Sequence, residues 1–181
     1  MAKSGNTMFA VLGVLTKGVY SGYDIKKHFS GSLHHFWSES YGQIYPALKE
    51  LVAQGYAVEA STPIQTRGQK KYQITPEGME HFRKWLSAPI GALNYRDELL
   101  LKVFFATPQD KEVIRGLFEH ELGELTNAME VYREQQRALI TQKQPPEDLP
   151  MWMLTLNYGI LSTEARLQWC KESIEWLNQQ R

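Results

Sequence analysis

Cysteine is almost missing from this sequence: Cys170 stands alone among 181 residues. A lone thiol closes no internal disulfide and gives no cysteine cluster for zinc, so the expected setting is a reducing cytoplasm. Long apolar runs are missing too. The one early run, MFAVLGVL, follows a single lysine, has no small-residue cleavage site and leads straight into TKGVYSGYDIKKHF, so no signal peptide is expected. No later run approaches the length of a membrane span. The G-x-S-x-G elbow, the P-loop, the dinucleotide-binding glycines and H-E-x-x-H are all absent. No catalytic residue, cofactor or metal site is therefore expected. His28, His34 and His35 cluster, and His35 stands four before Glu39, but no ligand set is completed. Cys170 falls on an apolar helical seam and reads as core.

Net charge is missing only in the sum. The chain holds 20 Lys+Arg and 20 Asp+Glu, yet residues 1–90 carry 10 against 6 and residues 91–181 carry 10 against 14, which is +4 and −4. A basic half can meet a polyanion although the total is neutral.

What is present is mostly helical periodicity. Met8, Val11, Leu12 and Leu15 form a first stripe, stopped by Lys17 and Gly18. Ser21, with Asp24 three positions on, reads as the capped start of a second helix that buries Ile25, Phe29 and Leu33. WSESYGQIYPALKELVAQGY reads as a third, with Ile44, Leu48 and Leu51 on one face and Gly55 as its left-handed stop. Pro46 sits inside that helix, where proline costs roughly 3 kcal/mol. A helix kept despite such strain suggests a function for its other face.

YAVEAST and QKKYQIT are short alternating runs joined through PIQTRG, the pattern of a two-stranded hairpin. Thr75, Pro76 and Glu77 then open another helix. After SAPIGALN the chain is helical almost throughout. One stretch spans 109 to about 142 with apolar positions 118, 122, 125, 129 and 132, and a Pro-rich break, TQKQPPED, lets the last helix fold back antiparallel. That last helix shows one seam through Met153, Leu156, Ile160, Leu167, Cys170, Ile174 and Leu177. A second stripe runs through Trp152, Gly159, Arg166, Trp169 and Trp176 and suggests a second packing partner, such as another copy of the chain.

The expected fold is mainly α with a small two-stranded β wing: a winged helix-turn-helix domain over 1–88, then a long-helix dimerisation domain over 92–181. In this architecture the third helix enters the DNA major groove and the wing rests on the backbone or minor groove. Opposite the buried residues of the third helix stand Ser40, Tyr41, Gln43, Tyr45 and Lys49. Gln43 can pair bidentately with adenine, while hydroxyls and lysine hold phosphates. Gly42 allows the helix start to approach a phosphate closely. Arg67, Lys70 and Lys71 place long cations at or beside the hairpin tip, and Lys26 with Lys27 makes a third cationic site. The alternatives are an ordinary solvated surface, or a winged domain that docks a protein and has no specific DNA target.

The stretches YSGYDIKKHF, FWSESYGQIYPALKELVAQGY, RGQKKYQITPEG and RDELLLKVFF resemble the PadR family of bacterial transcription regulators, by motif over about residues 7 to 105 and by architecture beyond. The tail resembles that of the longer members, including those that govern phenolic acid metabolism. The resemblance implies a homodimer that binds double-stranded DNA at an inverted-repeat operator, usually as a repressor released by a small aromatic or drug-like effector. It adds Tyr23, Lys26 and Pro46 to the expected DNA contacts, and Phe36, Trp37, Trp152 and Trp169 as effector candidates.

Overall fold

A computed structural model of the chain describes residues 2–30, 36–60, 70–91, 96–142 and 144–179. The chain divides into two compact units, Met1–Ala92 and Leu93–Arg181.

The first unit orders α1 (Ala2–Leu15), β1 (Tyr20–Ser21), α2 (Gly22–Ser30), α3 (Tyr41–Ala53), β2 (Ala57–Glu59), β3 (Lys71–Ile74) and α4 (Pro76–Ser87). One core joins Val11, Leu12, Val14 and Leu15 of α1 to Ile25 and Phe29 of α2, to Ile44, Ala47, Leu48 and Leu51 of α3, and to Ala57 of β2. These are largely the helical stripes of the sequence; Leu33 lies outside the described residues.

The turns follow local chemistry. Ser21 and Asp24 cap α2 reciprocally: Asp24 Oδ2 accepts from the Ser21 N–H at 2.9 Å, and the Asp24 N–H donates to Ser21 Oγ at 3.2 Å. At the end of α3, Gly55 takes φ 75°, the Tyr56 N–H reaches the Leu51 carbonyl at 2.8 Å and the Gly55 N–H reaches Val52 at 3.1 Å. This is a full Schellman closure. Thr75 caps α4 by accepting from the Gly78 N–H at 3.0 Å, with Pro76 at the first helical position. Gly78 is required: a Cβ there would stand 2.0 Å from the Tyr56 carbonyl oxygen.

The sheet has three strands rather than the expected two. β3 lies at its centre, pairing antiparallel with β2 (Val58 opposite Gln73) and with β1 (Tyr20 opposite Tyr72, Ser21 opposite Lys71). Two residues are too few to show alternation, so β1 leaves no periodic signal.

The second unit holds α5 (Glu98–Phe105), a 3-10 turn at Pro108–Asp110, α6 (Lys111–Ile140) and α7 (Leu149–Gln179). At 30 residues, α6 is roughly 45 Å long. Tyr132 meets Gly159, Glu121 meets Arg166 and Phe118 meets Trp169, so α6 and α7 run antiparallel. Cys170 is buried with Ile114 and Phe118, as its place on the seam implied, and burial pushes its thiol pKa up.

The second stripe on α7 needs correction. Gly159, Arg166 and Trp169 turn toward α6, whereas Trp152 and Trp176 are exposed. Each of these two stands one step of seven, about 20°, from a packed member, but lies opposite an end of α6, where that helix covers it less. Among the described residues the stripe of α7 left exposed is instead Met151, Leu154, Tyr158 and Leu161.

Candidate nucleic-acid interface

The start of α3 is held by its own polar side chains. Ser40, with extended φ −84° and ψ 161°, is the N-cap, and its carbonyl accepts the first helical bond from the Ile44 N–H at 3.0 Å. Gln43 folds back over it: Oε1 accepts from the Ser40 N–H at 3.0 Å and from the Ser40 hydroxyl at 2.8 Å. Pro46 is the sixth helical residue and has no N–H to give the Gly42 carbonyl. The ladder therefore loses a rung near its start, and the Gln43 cap holds the first turn.

Helical spacing then sorts the faces. Ile44, Ala47, Leu48 and Leu51 are buried, while Tyr41, Gly42, Gln43, Tyr45, Pro46 and Lys49 are exposed. Tyr41 and Tyr45 stack with centroids 6.2 Å apart. Tyr45 lies across Gly22 at the start of α2, where a Cβ would come within 2.7 Å of its ring, and Tyr23 beside that glycine is exposed. Lys71 pairs with Ser21 in the sheet and, with His28, helps hold the Asp24 carboxyl low. Hydrogen bonds from the Ser21 N–H and hydroxyl are the larger causes of that lowering. The first turn of α2, the exposed face of α3 and the central strand thus meet. Lys26 is half-buried on α2.

Lys70 is not a free cation. Its Nζ donates to Glu59 Oε1 at 2.7 Å across the strand pair, which raises its pKa. Arg67, the third wing cation beside Lys70 and Lys71, lies outside the described residues, as do His34 and His35.

Two arrangements gave no clear sequence signal. Glu39, only 3 % exposed, accepts at Oε1 from the Thr7 hydroxyl at 2.8 Å and from Trp37 Nε1 at 3.0 Å, while Oε2 has no hydrogen-bond partner among the described residues. It ties α1 and Trp37 to the residue just before the α3 cap, where the helix dipole favours an anion. Trp37 also packs against the core, so it is a structural bracket. Phe36 beside it is exposed.

In the second unit Arg166 donates to Glu121 at 2.6 Å and to Asp97, and its guanidinium lies 5.6 Å from the Trp169 ring centre. The paired carboxylates raise its pKa further. Asp97 also caps α5 by accepting from the Leu100 N–H at 3.1 Å. Trp169 meets Phe118 edge-on at 4.9 Å. Its ring is committed to packing, and Trp152 stands 17 residues, roughly 26 Å, away along α7.

Residues 11–84 match the transcriptional regulator PadR-like family, and residues 95–178 match the virulence activator alpha C-terminal family. The chain is 37 % identical over 117 residues to the negative transcriptional regulator PadR of Bacillus subtilis, an alignment covering 63 % of this chain and 64 % of that relative's length. The crystal structure of B. subtilis PadR with operator DNA superposes with a TM-score of 0.83 at 27 % identity, covering 93 % of this chain and 96 % of that one. The same regulator with p-coumaric acid superposes at 0.76 and 26 % identity, covering 94 % and 98 %.

Proposed function

Because this chain belongs to the PadR-like family of transcriptional regulators, we propose that it is a DNA-binding regulator, a homodimeric cytoplasmic repressor of an inverted-repeat operator. The observation that carries this reading is the two-sided α3: an apolar face sunk in the core and an outer face of tyrosines, Gln43 and Lys49. In winged helix-turn-helix proteins the equivalent helix lies in the major groove with its first residues toward base edges. Ser40, Tyr41, Gln43, Tyr45, Pro46 and Lys49 then contact DNA from α3, and Tyr23 and Lys26 from α2. Arg67, Lys70 and Lys71 contact it from the wing. Lys70 first has to exchange Glu59 for a phosphate.

The apolar stripe Met151, Leu154, Tyr158 and Leu161 on α7 supports pairing with a second copy, as do exposed Leu100, Leu101, Phe104 and Phe105 on α5. Two copies bring two recognition helices to adjacent major grooves, about 34 Å apart. Repression is supported by the negative regulator among its relatives, and a small aromatic effector by the p-coumaric acid complex of that protein. An effector releases DNA by preferring the arrangement in which the spacing is wrong; a hundredfold preference corresponds to about 2.7 kcal/mol. Phe36 and Trp152 are the exposed rings among the candidates.

The test is a gel-shift with duplex from upstream of its own gene, across a salt series. The expected result is a complex whose affinity falls steeply with salt and which p-coumaric acid or a related aromatic acid dissociates. An absence of binding at low salt would overturn the DNA-binding reading.

A further inference from the structure

We infer that Gln43 reads guanine, through its amide NH2 alone, and does not make the bidentate contact to adenine. This rests on the DNA-binding reading above and deepens it by naming the base class. A bidentate pair with adenine needs both ends of the amide: the NH2 donates to N7 and the oxygen accepts from N6–H. In this helix the oxygen is taken. Oε1 accepts from both the backbone N–H and the hydroxyl of Ser40, at 3.0 and 2.8 Å, which uses both of its lone pairs. The backbone N–H is only a donor, so the amide atom facing it is the oxygen, and Nε2 is left with two protons on an exposed side chain.

Releasing the oxygen to reach adenine would open the capping box at the start of a helix already short of a rung at Pro46. What Nε2 can serve is a base edge of acceptors only. Guanine presents two, O6 and N7, in the major groove, whereas thymine presents only O4. The cap therefore sets the specificity: it fixes which end of the amide faces the DNA.

Two substitutions separate the roles. Gln43→Glu keeps an acceptor for Ser40 and adds a negative charge at a helix N-terminus, which is favourable there. It turns an acceptor toward the groove, which suits cytosine N4–H. Gln43→Ala removes both the cap and the contact. Duplexes are selected from a randomised pool by the parent and each variant, and the winning duplex is then measured with each base at each position. Preference is the readout, because the added carboxylate lowers affinity for every sequence.

The expected result is a position in each half-site where the parent prefers guanine over adenine by about tenfold, Gln43→Ala shows no preference and Gln43→Glu prefers cytosine. Thermal melting accompanies it, with Gln43→Ala below the parent and Gln43→Glu above Gln43→Ala. Adenine at the Gln43-dependent position would overturn the inference and leave DNA binding standing. So would a base preference that neither substitution changes, or equal melting of all three proteins. A parent that binds no duplex would overturn both.

Discussion

The two units solve the problem of an exposed surface in opposite ways. In Met1–Ala92 the aliphatic residues of three helices and a strand close on one another, and the outer face of α3 shows tyrosine hydroxyls, an amide and an ammonium. In Leu93–Arg181 the cluster that packs against α5 holds, among the described residues, three buried ones, Ile114, Phe118 and Cys170, with partly buried ones around them, while Phe104 is 81 % exposed and Phe105 72 %. A surface of hydroxyls and cations needs no apolar cover and suits a hydrated polyanion. A surface of hydrocarbon gains about 25 cal/mol for each Å² it loses to a partner. The outer face of α3 needs no second copy to cover it, whereas the exposed apolar residues of α5 and α7 form the surface proposed above to meet one.

The sharpest way to break that contrast is to charge the hydrocarbon. Leu154→Asp with Leu161→Asp places two carboxylates on the α7 stripe, and burying them unpaired weakens self-association on the order of 100-fold or more. Sedimentation should find a folded monomer. A dimer of unchanged strength would mean that this stripe is not the seam.

A comparable blow to the first unit needs only a methyl group. Gly78→Ala drives a Cβ into the Tyr56 carbonyl and should cost about 3 kcal/mol, lowering the melting midpoint by roughly 6 to 12 °C. Gly116→Ala, with nothing within 4 Å among the described residues, is the matched control and should melt no lower than the parent.

Smaller effects sharpen the polar side of the comparison. Lys49→Ala should weaken binding to all duplexes and lower the slope of log affinity against log salt by about 1. Glu59→Gln should do the reverse, tightening binding and steepening the slope, because it releases Lys70. Identical salt slopes in parent and both variants would remove these lysines from the interface.

The smallest effect is confined to acid. Asp24 has a folded pKa held below its ordinary 3.8, chiefly by the Ser21 N–H and hydroxyl. Its stabilisation is complete above about pH 4 and fades as pH falls through the lowered value. Asp24→Asn should therefore be less stable than the parent by a constant amount at neutral pH, and the two should converge below pH 4 in denaturant titrations followed across pH.

How far the sequence carried depended on distance along the chain. The Ser21–Asp24 box, the Thr75 cap, the Gly55 stop and the buried stripes of α1 and α3 all act within a few residues, and each was legible. Whether Gln43 spends its oxygen on DNA or on Ser40 was not, since a capping box and a base contact call for the same residue type. The Arg166 network joins residues 45 and 69 positions apart, and Thr7 with Glu39 spans 32, so neither pair leaves a periodic trace. Gly159 read as a member of an outer stripe because small residues look alike whether they face water or a neighbouring tyrosine.

The exposed hydrocarbon of α5 and α7 also carries a meaning for the cell that makes this protein. If two copies must join before either operator half is gripped, then at concentrations below the dimer dissociation constant the amount of active species rises with the square of the amount of chain made. Halving synthesis there leaves a quarter of the dimer. In such a dimer a few apolar side chains on two helices would make the regulated genes respond to dosage far more steeply than a monomeric binder would.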